Sequence, residues 1–231
     1  LNGIEIFQPL ITRKGVAENP SPVNPYFIDR MKLHSGTYPV NYGDRLSSVL
    51  DISYRTGSTE KIKSMVSLST VKAEAAVEGP LANIGSFIVG ARKINYGYIF
   101  GSLETKGTFT PDFHDFQGSF HLRPGQKHDI RLFGLYCNST YAAVPEAYHA
   151  QWDFIEKKIF YDYYATGKEK FTLATSAFKA DWSFQPSEHV NLNLQATMYT
   201  QEESENSRVA YSAWASPADS LVEEPDTLDM K

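Results

Sequence analysis

The sequence has 231 residues, and its 22 Lys and Arg against 27 Asp and Glu give a formal net charge of −5. This acidic balance argues against a nucleic-acid-binding protein, which usually carries an excess or a patch of basic residues. The single cysteine, Cys137, excludes an intrachain disulfide and a cysteine-rich metal site. No apolar run approaches the roughly 20 residues that a membrane helix requires. The 14 Tyr and 14 Phe on a polar background favour strands over helices.

Residues 1–57 are rich in Pro, Gly and Asn and contain only short apolar runs. The prolines of this segment exclude a long helix. Alternation of Met31 and Leu33 with charged neighbours predicts a strand over 29–34, and residues 47–54 predict a second strand. We therefore expect a compact module of strands and loops with little core of its own.

From about residue 64 the chain alternates apolar and polar residues in segments that turn signals separate. Val190, Leu192 and Leu194, for example, share one face, and Asn and Gln occupy the other. Both faces of 129–137 are apolar, so the sequence leaves its outward face open. The pattern predicts six or seven antiparallel strands, over 64–78, 86–98, 114–122, 129–137, 171–184, 190–199 and 208–215.

The predicted connections alternate in length. Short turns at 79–85, 123–128 and 185–189 separate long connections at about 99–112, 138–168 and 200–207. Bacterial outer-membrane barrels show this asymmetry between short periplasmic turns and longer extracellular loops. The polar strand faces favour Asn, Gln, Ser and Thr, as a hydrated lumen would, and aromatic residues lie near strand ends, as in interfacial girdles. These features favour a membrane barrel over a soluble β protein.

Residues 24–52 read NPYFIDRMKLHSGTYPVNYGDRLSSVLDI. This run resembles the C-terminal half of the plug domain in TonB-dependent outer-membrane receptors, especially those of the Bacteroidetes type. The opening LNGIEIFQP resembles a segment midway through the same plug, and residues 78–81 and 85–92 resemble the first barrel hairpin. The resemblance is dense over residues 1–100 and architectural beyond them.

The resemblance implies an all-β fold in which residues 1–57 are the C-terminal half of a plug domain. Residues 58–231 would then be the first six or seven strands of a transmembrane antiparallel β-barrel. A barrel that holds a plug has about 22 strands, so we expect this chain to be part of a longer protein.

The resemblance also implies energised uptake of a scarce ligand, such as a siderophore, vitamin, glycan or peptide, across the bacterial outer membrane. The chain would be integral to that membrane, with the plug facing the periplasm. The implied partners are outer-membrane lipid, the ligand and an inner-membrane TonB complex that acts through a segment outside this sequence. Whether a surface lipoprotein lid takes part is left open.

Four residues of the plug-like run are expected to be structural. Gly36 and Gly43 can take positive φ and so allow tight reversals of the chain. Tyr42 can pack its ring while its hydroxyl finds a polar partner. Arg45 is expected to pin the plug to acidic groups on the barrel wall.

The aromatic-rich connection 138–168 is the best local candidate for ligand contact. Its aromatic side chains can stack on a sugar or on a siderophore ring. The alternative is that they pack within the loop or belong to an outer aromatic girdle. The candidates are Trp152, Tyr161, Tyr163 and Tyr164. Arg92 and Lys93, at the end of a predicted strand, are interpreted as rim charges.

The sequence does not predict an enzyme. His114 and His121 are seven residues apart, so a regular strand directs them to opposite faces and no zinc site is expected. Asp112 and Asp115 likewise lie on opposite faces. No recognisable Ser/His/Asp set and no glycine-rich phosphate loop occurs, and no cofactor is expected. The alternatives to a receptor are a passive porin-like barrel and a soluble β-rich adhesin or carbohydrate-binding module.

Overall fold

The computed structural model describes residues 1–7, 21–36, 39, 42–43, 48–97, 107–153 and 158–217. These residues form an all-β protein with antiparallel pairing throughout, which confirms the all-β, antiparallel part of the predicted fold class. One 3-10 turn, Pro25–Phe27, precedes the first strand. The strands are β1 (Ile28–Ser35), β2 (Ser48–Tyr54), β3 (Lys63–Leu68), β4 (Lys72–Leu81), β5 (Gly85–Asn95), β6 (Gly107–Leu122), β7 (His128–Pro145), β8 (Tyr148–Asp153), β9 (Lys158–Ser187) and β10 (Val190–Pro217).

Within the described ranges, no helix is both long enough and apolar enough to cross a membrane.

The described residues up to 58, here called the N-terminal module, contain a two-stranded sheet. Strands β1 and β2 pair antiparallel, with Met31 opposite Ile52 and Leu33 opposite Leu50. Both strands were predicted, the first from the alternation of Met31 and Leu33 with charged residues, and no bound differs from the prediction by more than one residue. The preceding turn begins at Asn24, whose side chain accepts a hydrogen bond from the Tyr26 amide at 2.9 Å. Such a cap satisfies an amide at the start of the turn that has no partner within it.

The second sheet is an antiparallel meander in the order β3-β4-β5-β6-β7-β9-β10, with β8 also paired to β9. Its two edges in the described part of the chain are β3 and β10. Eight strands thus lie where six or seven were predicted. Residues 64–78 divide into β3 and β4, and residues 200–207, predicted as a connection, continue β10 through to its end.

The prediction of a long connection over 138–168 is also wrong. Strand β7 continues to Pro145, and β8 and the start of β9 form a hairpin over the remainder. The sequence of the last third of β7 did not predict a strand, because its outer positions are mostly polar or small. Backbone pairing with β6 and β9, rather than a strict apolar alternation, extends the strand.

Gly167 lies in β9 between the residues that pair with β7 and those that pair with β8, and it pairs with Val209 of β10. Gly167 has φ +120°, and a Cβ atom there would overlap the carbonyl oxygen of Arg208. Only glycine fits this position without strain.

The two faces of the larger sheet have different environments. On β5 the even-numbered residues from Ser86 to Ile94 are buried beneath the N-terminal module, while the odd-numbered residues point away from it. We call these the inner and the outer face. The face of β7 that the sequence left open is now assigned: Phe133 and Leu135 are buried on the inner face, and their neighbours lie on the outer face.

The main core lies between the N-terminal module and the inner face. Leu1, Ile4 and Ile52 of the module pack with apolar residues of β5, β6, β7 and β9, among them Phe133 and Leu173. The module therefore shares its core with the sheet, as the prediction of little core of its own implies. A smaller cluster of Phe27, Ala76 and Ile88 lies beside the first.

Candidate functional site: the contact between the N-terminal module and the sheet

Three consecutive carbonyl groups of the N-terminal module accept hydrogen bonds from the inner face of the sheet. Arg92 Nη2 donates to the Ser21 oxygen at 2.8 Å, and Arg92 Nη1 donates to the Val23 oxygen at 3.4 Å. Gln117 Nε2 donates to the Pro22 oxygen between them at 2.6 Å. We call this set the Arg92–Gln117 clamp. It satisfies the backbone of a segment that has no strand partner, which a buried chain requires.

The clamp is held in place by Asp115. Antiparallel pairing sets Arg92 of β5 opposite Asp115 of β6. Arg92 Nε donates to Asp115 Oδ2 at 2.6 Å, and Gln117 Nε2 also contacts Asp115 Oδ1 at 3.1 Å. The Arg92 guanidinium lies 5.2 Å from the Phe113 ring centroid. The two charged side chains are 6% and 0% exposed, so each depends on the other for compensation.

Tyr54 joins the clamp to the module. Its hydroxyl donates to Gln117 Oε1 and accepts from the Asn24 amide, both at 2.8 Å. Its ring packs edge-on against Phe27 and Phe133, with centroid separations of 5.5 and 5.6 Å. Burial raises the pKa of Tyr54 well above its usual range. The hydroxyl therefore remains protonated and able to donate to Gln117.

A second polar contact lies at the end of β2. Arg55 Nη1 forms an ion pair of 2.5 Å with Glu78 Oε2 on β4, and the Ser58 amide donates to the same oxygen at 3.1 Å. The Arg55 guanidinium lies 4.6 Å from the Tyr26 ring centroid, and Arg55 Nε donates to the Tyr26 carbonyl. Arg55 is thus held by Glu78 of β4 and by Tyr26 of the module. The contact joins the last residues of the module to β4 of the larger sheet.

A third contact is at the start of the chain. Lys179 Nζ of β9 donates to the Asn2 carbonyl at 2.9 Å and forms an ion pair with Asp181. The Asn2 side chain in turn accepts from the Tyr54 amide at 2.7 Å. The module is therefore bonded to strands across most of the width of the sheet.

The predicted plug residues have mixed outcomes. Gly36 has φ +88°, as its role in a tight reversal requires, but Gly43 does not have positive φ, so the same prediction was wrong there. The Tyr42 hydroxyl bonds to Asp51, and this hydrogen bond raises the pKa of Tyr42. The Tyr42 ring lies 5.5 Å from that of His34. Arg45 lies outside the described residues.

Arg55, which the sequence analysis did not select, makes a contact of the kind expected of Arg45, because it pairs with the acidic Glu78 of the sheet. Arg92 makes the reverse contact and reaches from the sheet to carbonyl groups of the module. The interpretation of Arg92 as a rim charge was wrong, because the residue is buried at 7% exposure. Its position on the same strand face as Ile88 and Ile94 was the available signal. Lys93, on the opposite face, is half exposed and pairs with Asp112 at 2.6 Å.

The histidines and aspartates lie as their spacing predicts. His121 is on the inner face and contacts Asp129 at 2.9 Å, whereas His114 is on the outer face. Asp112 and Asp115 are on opposite faces as well. In the part of the chain that the structure describes, no group of three or more His, Cys, Asp or Glu is arranged to hold a metal ion.

The four candidate ligand-contact aromatics lie on strands rather than on a loop. Trp152 is in β8, and Tyr161, Tyr163 and Tyr164 are in β9. Tyr163 and Tyr164 are consecutive and so point to opposite faces. The Tyr163 ring packs 5.6 Å from that of Tyr211. These two neighbours cannot contact one ligand from the same side, and the side chains of Trp152 and Tyr161 are outside the described residues.

The outer face of the larger sheet carries a continuous apolar band. Its positions run over 174–184 on β9 and 190–198 on β10, close to the 9–11 residues that a tilted strand needs to cross a bilayer. Beyond the band, the outer positions of β9 become Lys and Thr. Its exposed large members include Val66, Leu68, Phe116, Tyr136, Phe178, Trp182, Val190, Leu192, Leu194 and Met198.

Aromatic rings gather at one end of the band. The His128 ring stacks on Phe184 with centroids 4.6 Å apart and planes at 11°. Trp182 Nε1 donates to His128 Nδ1 at 3.1 Å. The cluster lies beside the short turns before β7 and between β9 and β10. Rings with a polar edge are typical of the boundary between an apolar phase and water.

Comparisons with protein-family models, with curated proteins and with solved structures give no match to this chain. Its function is therefore argued from the two faces of the sheet and from the contacts of the module.

Proposed function

We propose that this chain is part of a TonB-dependent outer-membrane receptor that takes up a scarce ligand by energised transport. Residues 1–57 would be the C-terminal half of the plug, and residues 58–231 the first strands of the barrel. One observation carries the proposal. The inner face of the sheet is bonded to a small module through buried polar side chains, while its outer face is apolar over the length of a membrane crossing.

The outer band supports a membrane location. Leu68 is 77% exposed, Leu194 is 64% exposed and Phe116 is 57% exposed, and they belong to one continuous surface. Soluble monomers rarely expose apolar patches of more than a few hundred Å². Lipid tails would cover this band, and between the edges β3 and β10 the strands satisfy each other's backbone groups, as a lipid environment requires. A soluble adhesin or carbohydrate-binding module would need another cover for it.

The inner face supports a plug that can be moved. The wall holds residues 21–23 by hydrogen bonds to main-chain oxygens, and such bonds exchange readily for bonds to water. The apolar burial of this segment is limited to Pro22 and to Val23 at the edge of the main core. Regions with little buried apolar surface open at lower free energy than the rest of a protein. Pulling by a TonB complex on the plug would remodel it, and no covalent chemistry is required.

The same module argues against a passive porin. It lies across the inner face from β4 to β10, where a porin would have open water. Conductance in planar lipid bilayers separates the two functions. For the full-length protein we expect no steady conductance, and a channel that opens when urea unfolds the plug. Steady conductance without denaturant would favour the porin.

The membrane location is tested by lipid exposure of single positions. In a Cys137→Ser background, Leu194→Cys places a thiol on the outer face, and Gln195→Cys is its matched neighbour on the inner face. The full-length protein is labelled with a fluorophore and reconstituted with nitroxide-labelled lipid. We expect strong quenching at 194 and weak quenching at 195. Equal quenching at the two positions would contradict the proposal.

A further inference from the structure

We infer that three cationic side chains on the outer face of the sheet bind the phosphate groups of a glycolipid at one end of the apolar band. The inference rests on the proposed membrane location. The residues are Lys168 and Lys170 of β9 and Arg208 of β10, and all three are exposed. They lie beyond Ala174, at the end of the band away from the aromatic cluster and the short turns.

Strand pairing places the three cations together. Lys168 and Arg208 are directly opposite each other, and Lys170 follows Lys168 on the same face of β9. Opposite residues of an antiparallel pair have Cβ atoms about 4.5–5.5 Å apart, and like charges at such positions destabilise a sheet. In the part of the chain that the structure describes, none of the three side chains forms an ion pair. An anion bound between them would relieve this repulsion.

The carboxylates of β9 and β10 leave these charges uncompensated. Glu169 lies between Lys168 and Lys170 in the chain, but it is on the inner face, where Ser207 Oγ donates to it at 3.0 Å. Glu202 is on the outer face opposite Ala174, about 13 Å along the strand from the level of Lys170, which exceeds the Debye length of about 10 Å. The outer positions around the cations on these two strands are neutral, namely Tyr164, Thr166, Thr172, Ser204, Asn206, Ala210 and Ser212.

The cations are at the height of lipid headgroups. A strand rises about 3.3 Å per residue, so at a tilt of about 45° Lys170 and Lys168 lie about 9–14 Å beyond Ala174. Pairing puts Arg208 level with Lys168. Long Lys and Arg side chains keep their stems near apolar surface and extend their charged ends to the headgroup layer. Phosphate oxygens accept hydrogen bonds from both ammonium and guanidinium groups, and the arginine fork binds phosphate in a bidentate manner.

The orientation of the sheet selects the lipid. Short turns of a bacterial outer-membrane barrel are periplasmic, so the opposite end of the band lies in the outer leaflet. The characteristic lipid of that leaflet is lipid A, a diphosphorylated glycolipid. Its phosphates offer more negative charge to the three cations than the single phosphate of a glycerophospholipid. We therefore assign the site to a diphosphorylated glycolipid rather than to a glycerophospholipid.

The test measures retained lipid by native mass spectrometry. The full-length protein is delipidated in mild detergent and incubated in turn with diphosphorylated lipid A, its monophosphorylated form and dioleoyl phosphatidylglycerol. Lys168→Met combined with Arg208→Met removes the two opposed charges and keeps long side chains. Lys61→Met combined with Lys63→Met is the matched control, because it removes two exposed lysines at the other end of the sheet.

We expect one retained diphosphorylated lipid A on the unmodified protein and on the control variant, with weaker retention of the other two lipids. The Lys168→Met, Arg208→Met variant should bind lipid A about a hundredfold more weakly, about tenfold for each lost hydrogen bond to a charged group. This variant also loses a like-charge pair. Its melting temperature in lipid-free detergent should therefore be no lower than that of the unmodified protein.

Equal retention of the three lipids, or equal lipid A binding by the two double variants, would overturn the inference. A lower melting temperature of Lys168→Met, Arg208→Met without lipid would also contradict it, because the cations would then have stabilising partners within the protein. If the membrane location itself were wrong, the label at position 194 would escape quenching. A membrane protein without this site would show that quenching, but its lipid A binding would be the same in both double variants.

Discussion

Arg92 and Asp115 face each other across β5 and β6, with Arg92 Nε 2.6 Å from Asp115 Oδ2 and both side chains buried. Arg92→Met would leave the Asp115 carboxylate without a countercharge and would release the Ser21 and Val23 carbonyls. Breaking a buried pair from one side costs about 3–5 kcal/mol. We expect a loss of that order in the free energy of unfolding, measured by urea titration.

Two variants control this experiment. Lys93→Met removes a neighbouring charge on the outer face and should change the free energy of unfolding by less than about 1 kcal/mol. Arg92→Met combined with Asp115→Leu leaves no unpaired charge and should recover part of the loss. If the double variant were as unstable as Arg92→Met, the carboxylate would not be the source of the cost.

Gln117 should control the opening of residues 21–24. Gln117→Leu removes the donor to the Pro22 carbonyl and the acceptor for the Tyr54 hydroxyl, while keeping a side chain of similar size. An unsatisfied buried polar group costs about 1–3 kcal/mol. Hydrogen exchange followed by mass spectrometry should show faster exchange in peptides that cover residues 21–36. Gln195→Leu, on exposed β10, should leave that exchange unchanged, and slow exchange in both would contradict the role of Gln117.

Alkaline pH should weaken the module through Tyr54. Its pKa in the folded protein is raised by burial above the unfolded value of about 10. A group with a raised folded pKa contributes stability below its unfolded pKa, and this stability is lost as the pH rises. The free energy of unfolding should therefore fall above about pH 10. Tyr54→Phe removes the titrating group, so its fall over the same range should be smaller. Parallel curves for the two proteins would refute this assignment.

Gly57 should tolerate no side chain. It is buried in the link between β2 and β3, and a Cβ atom there would overlap the carbonyl oxygen of Phe87 on β5. Gly57→Ala must move one backbone away from the other, at a cost of about 3 kcal/mol in the free energy of unfolding. Gly43→Ala is the matched control, since open space surrounds its Cβ position and its φ is not positive. A similar melting temperature for both variants would show that the link can shift freely.

The sequence predicted strands well where the two faces differ in polarity. Residues 114–122 and 190–199 have one apolar and one polar face, and both segments are strands. The prediction failed over 138–168 and 200–207, where the strands run past the apolar band. There the outer positions are no longer apolar, so the period of two is lost although the backbone pairing continues. The two apolar faces of 129–137 arise because one contacts the core and the other belongs to the band.

The clamp was beyond sequence reasoning for a different reason. Alternation along β5 places Arg92 on the face of Ile88 and Ile94, so its burial was open to prediction. Its partner at Ser21 is 71 positions away in the chain. The acceptor is also a main-chain carbonyl group, which every residue has, so no residue type in the sequence could have indicated it. The position of Arg55, adjacent to the last residue of β2, depends equally on where β4 presents Glu78.

The clamp binds main-chain oxygens, so its hydrogen bonds depend on the backbone path of residues 21–23 and not on their side chains. The side chains at these positions are constrained separately by packing, because Pro22 is fully buried and Val23 lies against the main core. A substitution at Pro22 or Val23 would therefore disturb packing while leaving the acceptors of the clamp in place.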